Sequence, residues 1–190
     1  GIVEVADQNG FTVMLCQSNE SYEREKRDVG MLLNARVDGL LISLANDTSA
    51  FGHLEECVQM GVPVVLFDKV THELKASKVV VDDYQGGFTA SEHLIEQGCK
   101  RIAHMRGPIG PLNSLARYNG YIDALKKHGL PVEDELLKVC KRVSQEEGEQ
   151  FAMEWMQSPN PPDGIFTAAD LAAIGAIIQL KKMGKQVPHE

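Results

Sequence analysis

Short apolar runs alternate along this chain with amphipathic stretches of about a dozen residues, and that alternation leaves few folds open. Parallel strands cannot be joined by tight hairpins; each needs a crossover, usually a helix, which then covers one face of the sheet. The pattern therefore predicts an α/β protein of parallel sheets with helices on both faces. After a helical fragment at the start comes a predicted strand, Thr12 to Cys16. Cap-forming residues Gln17 to Ser21 precede a helix reaching about Asn34. Strand Val37 to Ser43 leads to a helix from about Thr48 to Met60, stopped by Gly61 and Pro63. Strand Val64 to Phe67, a polar loop from Asp68 to Lys78, strand Val79 to Val81 and a helix from Gly86 to Gln97 complete the first half. The second half repeats the theme. Strand Arg101 to Met105 precedes a helix ending at His128, and strand Leu136 to Cys140 precedes an amphipathic helix, Glu146 to Gln157. A proline-rich stretch, strand Gly164 to Thr167, and a helix capped by Asp170 and reaching about Met183 follow.

With 190 residues, 43% hydrophobic and 24% charged, the chain has the size and composition to bury a proper core. The net charge of -8 has no compensating basic stripe, since Arg24, Lys26 and Arg27 are interleaved with Glu23, Glu25 and Asp28. Gripping a phosphate backbone needs clustered cations, so these residues are not expected to hold nucleic acid by themselves. No apolar run is long enough to span a bilayer. Four widely spaced cysteines with no C-x-x-C pair suit a reducing, cytoplasmic setting better than a disulfide framework. His53 and Cys57 have the spacing of a helical metal pair but lack a second pair, so no metal site is expected. Nor is a catalytic set: there is no nucleophile elbow and no phosphate loop, and His104 lies within a strand, as a packed core histidine would. The chain opens inside what reads as an amphipathic helix and stops at Glu190 without closing an element, as a piece of a longer chain would.

In such folds ligands collect at the carboxyl ends of the strands. Ser18 and Asn19, then Asp82, Asp83 and Gln85, then Asn113 and Arg117, and finally Asp170 fall at those ends. Arg117 is predicted in the first turn of its helix, where partial positive charge disfavours a cation. Such a conflict suits a group with another task. Asn113, four residues earlier, shares its helical face, so an amide and a guanidinium converge on whatever lies in front. Two readings stay open: a surface arginine paired with a carboxylate, or a grip on a small polar ligand. Asp170 likewise serves as a helix cap or as a ligand contact.

Several runs together carry a resemblance. These are Arg36-Val-Asp-Gly-Leu-Leu-Ile42, Gly61-Val-Pro-Val-Val-Leu-Phe-Asp68 and Val81-Asp-Asp-Tyr-Gln-Gly-Gly87. Lys100 to Pro108, Arg117-Tyr-Asn-Gly-Tyr121 and Ala169 to Ala176 continue the series. In this order and spacing the chain resembles the effector-binding core of the LacI family of bacterial transcription regulators. The resemblance implies a periplasmic-binding-protein-like fold of two Rossmann-like lobes, truncated at both ends, with the effector in the cleft. It implies an N-terminal lobe over residues 1 to 99, its first strand missing, and an incomplete C-terminal lobe over residues 100 to 190. It also implies a homodimer, a helix-turn-helix head absent from these residues that reads operator DNA, and no cofactor. By resemblance Arg117 anchors the effector, Asn113 contacts it, and Gln85 stands where some members have a sugar-binding carboxylate. Asp83 and Asp170 complete the expected site. Val143 replaces a stacking aromatic, and Ala169 replaces an amide donor. A sugar-like metabolite is the implied effector; a periplasmic sugar-binding protein of an uptake system is the alternative.

Overall fold

The computed structural model describes residues 1–188 and divides them into two compact units. The first comprises residues 1–67 with 72–78, and the second comprises 68–71 with everything from Val79 onward. The expected boundary near Cys99 is thus displaced. The reason is packing: α4 (Asp83–Glu96) lies against α5 (Leu112–Lys127).

In the first unit, α1 (Ile2–Gln8) and α2 (Tyr22–Asn34) precede β1 (Leu40–Ile42), α3 (Gly52–Gln59), β2 (Val64–Phe67) and β3 (Ser77–Val79). The sheet order is β1-β2-β3, and β1 pairs parallel with β2, Leu40 opposite Val64. Leu40, Val64, Leu66, Leu54 and Cys57 are buried, so sheet and α3 share one core. The expected strand from Thr12 to Cys16 does not form; that stretch has no regular structure, and Leu15 is 92% exposed. A strand gains its hydrogen bonds only from a neighbour, and among the described residues this run pairs with none, which leaves the outer edge of β1 free. The third strand begins two residues earlier than expected, with Val80 and Val81 exposed beyond it.

A buried polar knot holds the loop that follows β1. The Glu25 carboxylate accepts hydrogen bonds from the Ala45 amide at 2.6 Å and the Thr48 hydroxyl at 3.1 Å, and lies 2.9 Å from Nε2 of His53. Tyr22 meets the His53 ring edge-on at 5.4 Å between centroids. A carboxylate out of water needs such partners, because an unpaired buried charge is costly. His53 is thereby committed to Glu25, and Cys57 donates to the His53 carbonyl rather than standing ready for a metal. Among the described residues no group of three potential metal ligands occurs.

The second unit orders its strands β5-β4-β6, all parallel: β4 (Ile102–Arg106) is central, with β5 (Leu137–Val139) and β6 (Gly164–Thr167) on either side. Chain order runs outward from the middle strand, first to one side through α5, then to the other through α6 (Gln145–Met156). Helix α7 (Asp170–Lys182) follows β6. Both faces of β4 are buried, as its unbroken apolar run requires. Ala103 and Met105 face Leu136, Trp155, Ala172 and Ala176, whereas Ile102 packs with Tyr121 and Leu125. His104, on that second face, stacks on Phe166 at 4.5 Å and donates from Nδ1 to the Phe166 carbonyl at 3.0 Å. It is a core residue, as its place in a strand implied. Among the described residues no helix is long and apolar enough to cross a membrane.

Candidate functional site

A sheet whose chain order reverses at its central strand opens a crevice at the carboxyl end of that strand. In the second unit that end is Arg106, and the loop Gly107 to Pro111 leads from it into α5. The loop after β6 brings Ala168 to the same end. Arg117 joins the two: its Nη1 donates to the Ala168 carbonyl at 2.6 Å, and its Nε to Oδ1 of Asp83 at 2.8 Å. The same carboxylate oxygen lies 2.7 Å from Nη2. Asp83 is the first residue of α4, so three connections meet on one guanidinium.

What brings α4 close enough is a pair of glycines. A Cβ on Gly87 would lie 2.3 Å from the Arg117 carbonyl oxygen, and one on Gly120 would lie 2.2 Å from that of Tyr84. Only residues without a side chain let the two backbones approach so far. The site arginine and its carboxylate are therefore set by a bare helix crossing.

Helix α5 starts at Leu112 behind the N-cap Pro111, so Arg117 falls in the second turn and not the first. The expected conflict with the helix dipole is accordingly weaker, and Asp83 offsets what remains. Asn113 sits in the first turn and donates from Nδ2 to Oδ1 of Asp68 at 3.0 Å. Arg117 and Asn113 thus share an end of α5 but engage different carboxylates. Of the two readings left open for Arg117, pairing with a carboxylate is realised, yet its side chain keeps 30% exposure against 10% for Asp83.

The other expected residues fare unevenly. Asp170 is exposed in the first turn of α7, two residues past Ala168; the N-cap is Ala169, with no side-chain cap bond, so Asp170 is not the cap. Gln85 turns along α4, donating to the Thr89 hydroxyl at 2.9 Å, while its amide is capped by Asp82. Val143 packs against the core beneath β4 and β5. Its backbone is left-handed, φ 55°, a strained state for a β-branched residue. Glu147 holds it there: the carboxylate accepts from the amides of Lys141 at 2.6 Å, Arg142 at 3.1 Å and Ser144 at 3.2 Å. Burial alone would raise the Glu147 pKa, but those amides and that of Val143 outweigh it and lower it. Asp68 and the Ala168 carbonyl were not anticipated. Asp68 lies at a strand end with φ 56°, which a sequence signals only by an Asp after an apolar run.

Residues 1–190 match, over their whole length, the family of periplasmic binding proteins and sugar-binding domains of the LacI family. The chain belongs to this family, as an effector-binding core of the LacI type. It is 30% identical over 189 residues to the ribose operon repressor of Halalkalibacterium halodurans, covering 100% of this chain and 54% of that protein. The chain thus spans about half the length of the curated relatives it matches. A LacI family transcriptional regulator from Enterococcus faecium, solved with bound ribose, is 28% identical with a TM-score of 0.82, covering 98% of this chain and 66% of that one. The transcription regulator CcpA of Lactococcus lactis shares the fold at 20% identity, with a TM-score of 0.85 over 97% of this chain and 66% of that one. Both branches of the family are described by what they bind.

Proposed function

We propose that the protein is a ligand-responsive transcription regulator of the LacI type, whose core binds a small polyhydroxylated metabolite, a sugar or sugar derivative, and thereby modulates operator binding. The observation that carries the reading is the junction at Arg117. Loops from two strands and the start of α4 converge there on one partly exposed guanidinium. The ribose named for one relative and bound in another supports the sugar class. Operator contact belongs to a helix-turn-helix segment other than these acidic residues, which carry a net charge of -8. An apolar stripe on α7, Leu171, Ile174 and Ile177, supports assembly as a homodimer. Four free cysteines support a cytoplasmic setting. An effector acts through its differential affinity for the DNA-competent and DNA-released states, so its binding and operator affinity are reciprocally linked.

The test is a thermal-shift screen with sugars on wild type, Arg117→Ala and Arg117→Lys. The lysine variant keeps a charge opposite Asp83 but loses the planar fork. A sugar that stabilises wild type and neither variant supports the reading. Equal stabilisation of all three removes Arg117 from the binding site.

A further inference from the structure

We infer that the ligand gripped at Arg117 is uncharged, a neutral polyol presenting adjacent hydroxyls, and that Asp83 is the residue that excludes its acidic or phosphorylated counterparts. This rests on the sugar-binding reading above and sharpens it.

A guanidinium has five N–H donors. Nε is taken by Asp83, one Nη1 hydrogen by the Ala168 carbonyl, and Nη2 touches the same Asp83 oxygen at 2.7 Å. About two donors remain, one on each terminal nitrogen, enough for two neighbouring ligand oxygens. Both a vicinal diol and a carboxylate could supply those oxygens; charge decides between them. The Arg117 charge is already neutralised by a carboxylate in direct contact and only 10% exposed. The other arginine at this strand end, Arg106, lies over the Tyr118 ring at 4.5 Å. Lys69 directly follows Asp68, the carboxylate that receives Asn113. Asp170 stands in the first turn of α7 and offsets the partial charge of that helix end. What is left for an anion is the α5 N-terminus, about half a charge, with Arg106 turned onto the Tyr118 ring and Lys69 beside Asp68, set against the carboxylates of Asp83 and Asp68.

The donor balance points the same way. A hydroxyl accepts from Arg117 and still donates its own hydrogen to a carboxylate such as Asp83. A phosphate or carboxylate at the same place only accepts, and meets Asp83 as a like charge.

The test compares matched pairs on the intact protein by calorimetry: D-ribose with D-ribose 5-phosphate, D-glucose with D-glucuronate, and D-galactose with D-galacturonate. The neutral member of whichever pair binds should be at least about tenfold tighter. Asp83→Asn, which unmasks the arginine, should move the ratio about tenfold toward the acid. Tighter binding of the acid by wild type overturns the inference while leaving a sugar-binding core intact. An unchanged ratio in a folded Asp83→Asn protein removes Asp83 as the excluding residue. Silence from every pair counts against the underlying reading, and this inference falls with it.

Discussion

His104 makes the core beneath the site acid-sensitive, and the size of that effect follows from its surroundings. The ring is fully buried; Nδ1–H donates to the Phe166 carbonyl, and Nε2 has no hydrogen-bond partner. Protonation would place a new N–H at Nε2 with no acceptor, in an apolar stack of Phe166, Tyr121 and Tyr118. Burial, aided by the Arg106 charge, therefore pulls the pKa down from 6.5 to about 4, although the Phe166 carbonyl favours the cation. This is a base that the folded state keeps neutral. Between those two values the unfolded chain holds more protons than the folded one, so stability falls as pH drops through 6.5 and levels off below about 4. The full loss is about 3 kcal/mol, and about 2 kcal/mol of it is spent by pH ~5.

The assay is urea denaturation of wild type and His104→Phe at pH ~7.5 and pH ~5. At the higher pH the variant should be weaker by about 1 kcal/mol, having lost the bond to the Phe166 carbonyl. At the lower pH wild type should have lost about 2 kcal/mol more than the variant, which reverses their order. Every other titrating group is common to both proteins and cancels in the comparison. Parallel pH dependence would refute the reasoning, because it would mean the ring reaches an acceptor or water when protonated.

Other expected outcomes test other parts of the molecule. Gly87→Ala puts a methyl 2.3 Å from the Arg117 carbonyl oxygen, so α4 and α5 must separate. A loss of about 1–3 kcal/mol should accompany weaker sugar binding, read by denaturation and calorimetry. Glu147→Gln removes the carboxylate that gathers the amides of residues 141–144, and should cost about 1–3 kcal/mol by thermal unfolding. Because its pKa is lowered in the fold, the stabilisation Glu147 supplies is present at neutral pH and fades as pH falls through the carboxylate range. Cys140, buried with its thiol pushed up to about 12, and Cys57, also buried and raised, should resist a thiol reagent until the protein unfolds. The partly exposed Cys16 and Cys99 should react first, which peptide mapping by mass spectrometry resolves.

Much of the architecture was legible because period and punctuation agreed. Gly61, Gly98 and Gly129 end α3, α4 and α5 in the left-handed turn that predicts a stop, and the apolar runs at β2, β4 and β6 form strands within a residue of their expected bounds. The failures have a common cause. Thr12 to Cys16 reads as a strand by composition, yet a strand exists only through a neighbour, and no local pattern says whether one is there. Val79 to Val81 has the strongest β propensity in its region, but pairing is set by register, which selects Ser77–Val79 and leaves the last two valines outside. The boundary near Cys99 failed for a similar reason: whether α4 belongs with what precedes or follows it depends on Gly87 and Gly120, whose meeting is a tertiary event.

At the site, spacing placed Asn113 and Arg117 on one face of α5, and the carboxyl-end rule collected Asp83, Arg117 and Asp170 near two loops that Arg117 bridges. Those rules locate residues but do not say which of them satisfy one another. Arg117 could have spent all its donors on a ligand, and only the geometry assigns Nε to Asp83 and one Nη1 hydrogen to Ala168. Val143 is the mirror case. By resemblance it stands where a stacking aromatic is expected; here its backbone is turned to φ 55° beside the amides that Glu147 gathers, and its partly buried side chain packs against the core. On the proposed reading the site consists of hydrogen-bonding groups, with Val143 giving it no flat apolar wall. Selectivity must then come from the count and sign of donors around Arg117, which is why exchanging Asp83 for a neutral amide should alter what binds more than how firmly the protein folds.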